Sequence, residues 1–153
     1  MPSPAHDRHA LMVELMLLVF RINGALLAGG DRMVAPLGLS SARWQVLGAI
    51  ALAQTPLTAP QIGAAMGISR QGVQKQLARL CDEALLAALP NPRHERSPQY
   101  QLTARGQKAY ASAMALNDAW VGELVRPLSK AQLSATVATL NTLSTRLSGD
   151  AAS

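Results

Sequence analysis

Two short helices separated by a glycine can be read between Leu57 and Leu80, and no other stretch constrains the fold of this chain as strongly. The segment runs Leu-Thr-Ala-Pro-Gln-Ile-Gly-Ala-Ala-Met-Gly-Ile-Ser-Arg-Gln-Gly-Val-Gln-Lys-Gln-Leu-Ala-Arg-Leu. Thr58 and Ser69 stand where a side-chain oxygen accepts a free N–H at the start of a helix. Leu57 with Ile62, and Ile68 with Val73, form hydrophobic staples around those caps. Gly67 supplies the turn, where a positive φ costs least. Gly63 and Ala64 are small enough for a close helix crossing, with Met66, Ile68, Val73 and Leu77 directed inward. The outward face of the second helix carries Arg70, Gln71, Gln74, Lys75, Ala78 and Arg79. A pair of this form places its second helix in a DNA major groove.

The same capping rule finds two further helix starts: Leu39 and Trp44 around Ser40, and Leu128 and Leu133 around Ser129. Thr58 with Gln61, and Ser129 with Gln132, also fit the capping box. The resulting map has a first helix from about His9 to Ala28, stopped by Gly29-Gly30, and a second from Ser41 to Ala53. A third covers Ala59 to Met66, and a fourth Arg70 to Ala84. Leu85 to Leu89 and Gln99 to Leu102 are strand candidates around a polar loop, Pro90 to Pro98. A fifth helix follows Thr103 and reaches Val125 before Pro127, and a sixth runs from Lys130 to Leu147. Pro2 to Asp7 and Ser148 to Ser153 read as frayed tails. The fold class is therefore mainly α with a small β-hairpin: a winged helix-turn-helix lobe over 39–102, flanked by helices at 9–30 and 104–147 in a single chain unit.

Those flanking helices are unusually apolar. The run Ala10 to Phe20 has almost no polar face, and a helix that is hydrophobic all round must be covered all round. The run is too short to span a bilayer, and Glu14 and Asp7 argue against a signal peptide. Leu133, Val137, Leu140 and Leu147 recur at heptad-like spacing, with Leu143 beside them. A homodimer packed through the first helix, the far end of the fifth and the sixth accounts for this surface; a monomer with a well-filled core is the competing arrangement.

The formal charge of +5 is concentrated. Between Ser69 and Lys108 lie seven basic residues and three acidic ones, whereas the rest of the chain is nearly balanced. A local positive field around a helix pair of this type favours double-stranded DNA as partner. Gln and Arg make bidentate bonds to adenine and guanine edges; Gln71, Gln74 and Lys75 are the expected base contacts. Arg70 and Arg79 serve bases or phosphates, and the Ser69 cap offers the positive helix end to a phosphate. Gly72 lets a DNA backbone approach, although it weakens the helix by about 1 kcal/mol relative to alanine. Asn91-Pro92-Arg93-His94-Glu95-Arg96 is the tip of a basic wing, with Arg96 first and Arg93 second as minor-groove or phosphate contacts. A plain surface loop with its arginines paired to Glu95 is the alternative.

Gly38-Leu39 leading into Arg43-Trp44-Gln45-Val46-Leu47, Gln61-Ile62-Gly63, Met66 to Val73, Asn91-Pro92-Arg93 and Leu102-Thr103-Ala104-Arg105-Gly106 together resemble the multiple-antibiotic-resistance regulator (MarR) family of winged-helix transcription factors. The resemblance implies a dimer, a palindromic operator, and usually repression relieved by a small effector, phenolic or otherwise aromatic or lipophilic. Family wings commonly carry Asp where this chain has Asn91 and His94, and those aspartates often hold the wing arginine; Glu95 is the substitute available to Arg96. Candidate effector-pocket walls are the end of the first helix, the second helix near Trp44 and the start of the fifth, with Arg21, Arg43 and Trp44 as nominees.

Other chemistry finds little support. His6, His9 and His94 lack metal-ligand spacing, and no nucleophile–base pair or phosphate loop stands out, so neither a cofactor nor an enzyme is expected. The lone Cys81 cannot form an internal disulfide and suits a reducing cytoplasm. A redox-sensing regulator acting through Cys81 is one alternative; its acidic neighbours Asp82 and Glu83 instead favour an unreactive structural thiol. A winged helix that binds a protein partner in place of DNA is the other.

Overall fold

The computed structural model describes residues 4–150; Pro2, Ser3 and Ala151 to Ser153, expected as tails, lie outside the described residues, as does the side chain of His6. Met1–Leu116 and Asn117–Ser153 form two compact units. In the first, α1 (Pro4–Val34) ends in a 3₁₀ turn, Ala35–Leu37, and is followed by α2 (Ser41–Ala53), β1 (Leu57–Thr58), α3 (Ala59–Met66) and α4 (Arg70–Asp82). Strands β2 (Leu86–Leu89) and β3 (Gln99–Leu102) then lead to α5 (Ala104–Val125), whose last turns belong to the second unit with α6 (Lys130–Asp150). The chain is mainly α with a small antiparallel sheet, the fold class expected.

The caps account for the sharp boundaries. Ser40 Oγ accepts from Arg43 N, Ser69 Oγ from Gly72 N, and Thr58 with Gln61 closes a full capping box. Ser129 and Gln132 repeat that box at α6, at 2.9 and 3.2 Å. Gly67 terminates α3 at φ 63°, in the left-handed region. The bounds of α2, α3 and α5 are those expected, while α4 ends two residues early, at Asp82; Glu83 caps it, and the next residue, Ala84, turns the chain at φ 57°.

The core of the first unit is built from Val46, Leu47, Ile62, Val73, Leu77 and Leu80, all essentially buried, with Val34, Leu85 and Leu86 around them. It lies where α2, α3 and α4 cross and is closed by the sheet. That sheet has the order β1-β3-β2: Leu57 pairs with Tyr100, and Leu86 through Leu89 pair with Leu102 through Gln99. The third strand, β1, was not expected. Two residues carry no strand pattern of their own, and this one exists only because β3 offers it a partner.

Helix α1 differs most from expectation. It begins at Pro4, so Pro4 to Asp7, expected in the frayed tail, are helical, and it passes straight through Gly29-Gly30. The glycines are buried and mark a crossing, not a stop. A Cβ on Gly30 would collide with Ser41 Oγ. Instead, Ser41 Oγ donates to Leu27 O at 2.7 Å, and Ser41 N donates to Asp31 Oδ1 at 2.7 Å. Asp31 thereby adds a carboxylate to the N-terminus of α2, where the helix dipole favours it. The helix stops only at Gly38, at φ 70°. As one uninterrupted element, Asp7–Leu37 is long and apolar enough by length and composition to cross a membrane, contrary to the reading of the shorter apolar run. Leu11, Met16, Leu17, Phe20 and Ile22 on α1 are all more than half exposed. In the second unit α6 exposes Leu133, Val137, Leu140 and Leu147, the heptad-spaced residues.

Because Gly30 is a contact glycine, Gly30→Leu is expected to push α1 off α2. The cost should be about 1–3 kcal/mol, read as a lower denaturation midpoint in urea with an unchanged slope.

Candidate nucleic-acid interface

Helix α4 is amphipathic in the required sense. Val73, Leu77 and Leu80 are buried, whereas Arg70, Gln71, Gln74, Lys75 and Arg79 are exposed. Its first turn holds no acidic residue, so nothing offsets the positive end of the dipole at Ser69 and Arg70.

The wing is organised by a residue whose role the sequence reading missed. Asn91 is buried, with 8% of its surface exposed. Its Nδ2 donates to Ser97 O at 2.8 Å, and its Oδ1 accepts from Arg93 N at 3.1 Å. His94 N to Asn91 O and Ser97 N to His94 O add two turns of backbone bonding. One amide thus clamps both ends of the loop, a role that needs a donor as well as an acceptor. A carboxylate at this position would lack the donor. Glu95, proposed as the partner of Arg96, is exposed and belongs to no ion pair among the described residues. With the loop closed in this way, Arg96 and His94 share an open groove of about 510 Å³ with Thr58, Pro60, Asn91, Ser97 and Arg70 of α4. The wing and the start of α4 therefore line one basic groove. Arg93 is exposed on the same loop.

Arg79 is placed differently, about three helical turns from the Ser69 end. Its Nε lies 3.1 Å from Glu83 Oε1. The other oxygen, Glu83 Oε2, lies 2.5 Å from Nη1 of Arg43. Arg43, nominated for an effector pocket, is a buried strut: only 7% of its side chain is exposed, and Nη2 donates to Gly38 O at 2.6 Å. Arg21 is exposed on α1. Of the three nominees Trp44 alone lines the apolar cavity of about 320 Å³ between α2, α3 and α5, together with Gly48, Leu52, Met66, Tyr110 and Met114.

Cys81 is half-buried on α4. Burial, and secondarily the charge of Asp82, push its thiol above the ordinary value, because both disfavour a thiolate.

The fold and the basic groove define a winged helix-turn-helix protein. The MarR family model matches residues 37–97. Uncharacterized proteins of Mycobacterium tuberculosis and Mycobacterium bovis are 34% identical over 97 residues, 63% of this chain and 66% of the relatives' own length, just under two thirds. Among solved structures, the MarR family transcription regulator SP03579 superposes with TM-score 0.78 at 24% identity, covering 98% of each chain. A mutant of Escherichia coli MarR complexed with operator DNA gives TM-score 0.76 at 20% identity, covering 86% of this chain and 94% of that one. The regulator BldR from Sulfolobus solfataricus gives 0.81 at 14% identity, with 95% and 99% covered. The chain thus has the fold of MarR family regulators, and the family's model matches its helix-turn-helix and wing.

Two measurements test this geometry. Arg43→Met keeps the apolar stem but leaves Glu83, which is one-third exposed, with Arg79 alone and takes the donor from the Gly38 carbonyl. It should cost about 2–3 kcal/mol, below the range for a fully buried pair, in denaturant unfolding. Cys81 should alkylate with iodoacetamide more slowly than an unstructured cysteine peptide at pH 8, where a raised thiol value leaves less thiolate.

Proposed function

We propose that the protein is a cytoplasmic, sequence-specific DNA-binding transcription regulator that works as a homodimer on a palindromic operator. In this reading it represses, and a small aromatic or lipophilic effector relieves the repression. The observation that carries the reading is the groove shared by Arg70 at the start of α4 and Arg96 on the wing. Gln71, Gln74 and Lys75 read base edges from the exposed face of α4. Ser69, Arg70, Arg93 and Arg96 hold phosphates or enter the minor groove, which fixes the register. Arg79, with its guanidinium on Glu83, supplies field more than contact. The complex of a MarR mutant with operator DNA, on the same fold, supports this assignment.

The apolar residues exposed on α1 and α6 support a second copy as their cover. Membrane insertion of α1 is the competing use of that surface, and Glu14, Arg21 and Asn23 within the helix weigh against it. Two recognition helices then enter successive major grooves about 34 Å apart. The cavity beside Trp44 suits an apolar effector, which shifts the spacing only by its differential affinity for the two arrangements.

Lys75→Ala combined with Arg96→Ala should weaken operator binding at least tenfold. It should also flatten the dependence of affinity on salt, by about one unit of slope for each phosphate that is no longer neutralised. Unchanged binding in a fluorescence-anisotropy titration across salt concentrations would place the DNA face elsewhere.

A further inference from the structure

We propose that the corner formed by the 3₁₀ turn, the end of α4 and the start of α5 binds a small organic carboxylate, at a site separate from the cavity beside Trp44. An open cleft of about 460 Å³ lies there, a volume in the range of small-molecule sites. Its apolar wall is Leu37, Leu85 and Ala109, and its polar wall is Arg105, Lys108 and Ser112. Those three polar residues stand at i, i+3 and i+7, so one face of α5 presents two cations and a hydroxyl.

The charge around the cleft is uncompensated. Glu83 also borders it, but both carboxylate oxygens are engaged, Oε2 by Arg43 and Oε1 by Arg79. Among the described residues, Arg105 and Lys108 take part in no ion pair. An anion with an apolar body answers both walls: its carboxylate accepts from Arg105, Lys108 and the Ser112 hydroxyl, while its hydrocarbon covers Leu37 and Leu85. Arg105 and Lys108 are exposed, so a neutral ligand gains no charge pairing from them, and an inorganic anion leaves Leu37 uncovered.

The cleft stands on a rigid base. Thr103 Oγ1 donates to Ala84 O at 2.7 Å, and Thr103 N donates to Leu85 O at 3.1 Å. Gly106 lies so close to the Leu85 carbonyl that a Cβ would overlap it. Arg105 and Lys108 are therefore held over the turn that ends α4. The thirteen residues of α4 put this corner roughly 20 Å from the base-reading end, too far for the ligand to touch DNA. A bound carboxylate instead sets a second negative charge beside Glu83, the cap of α4, and biases its pairing with Arg43 and Arg79. The binding step stands on the cleft alone; its coupling to DNA rests on the function proposed above.

The test uses the full chain, cyclohexanecarboxylate as probe and cyclohexanemethanol as its neutral counterpart, followed by amide NMR shifts without DNA. Saturable shifts centred on Gly38, Leu85 and Ser112 are expected with the carboxylate. Affinity should fall at least tenfold for the alcohol and for the doubly substituted Arg105→Ala, Lys108→Ala chain, whose melting should match the parent. No saturable shift, shifts centred on Trp44 and Tyr110, or equal binding by the alcohol or the variant would overturn the site. Operator affinity is then measured with and without the carboxylate. A change of threefold or more that disappears in the variant supports the coupling. An unchanged affinity overturns the coupling and leaves the site standing, whereas a parent chain that binds no DNA without the probe refutes the DNA reading alone.

Discussion

The guanidinium of Arg43 holds the winged lobe in register. It reaches from α2 to two acceptors that are far apart in sequence: the Gly38 carbonyl, where α1 finally stops, and Glu83, where α4 stops. A buried charge must be paired and hydrogen-bonded to be tolerated. The corner of α1 and the end of α4 therefore cannot drift independently. The short helices α3 and α4 supply the apolar packing, but packing is non-directional. The ion pair adds direction, because a guanidinium accepts partners only in its own plane.

This arrangement divides α4 into two ends with different duties. At Ser69 the helix is open, its first turn free of acids, and its neighbours are the wing cations. At Glu83 it is tied down by Arg43, while the following Ala84 and Leu85 carbonyls accept from Thr103. On the function proposed above, α4 needs this asymmetry: its contacts must be exposed, and yet its position must be set to within a fraction of an ångström. Exposed polar residues cannot position themselves, so the precision comes from the far end.

Much of this was legible in the sequence because its causes are local. A Ser or Thr cap and a staple act within five residues, so Ser40, Thr58 and Thr103 mark the starts of α2, α3 and α5 without reference to the rest of the fold. What escaped depends on distant partners. Gly29-Gly30 has the form of a helix stop, and only the approach of Ser41 makes it a crossing point. Arg43 resembles a free cation until Glu83, forty positions away, is brought beside it. The strand Leu57–Thr58 is invisible without Tyr100 and Gln99. The exposed face of α4 and the basic wing were readable as surface; the groove that joins Arg70 to Arg96 was not.

The wing makes the same point in miniature. Judged by residue type, replacing family aspartates with Asn91 and His94 looks like the loss of an arginine holder. Judged by geometry, Asn91 does something a carboxylate cannot, because its amide donates to one end of the loop and accepts from the other. The loop is then ordered by neutral bonds, and among the described residues the charge of Arg96 is in no ion pair, its neighbour Glu95 included. A neutral clamp under a basic tip leaves more of that charge for phosphate, and it does so independently of salt, since neutral hydrogen bonds are not screened as ion pairs are. On the function proposed above, the wing binds by field and shape, while the reading of bases falls to α4.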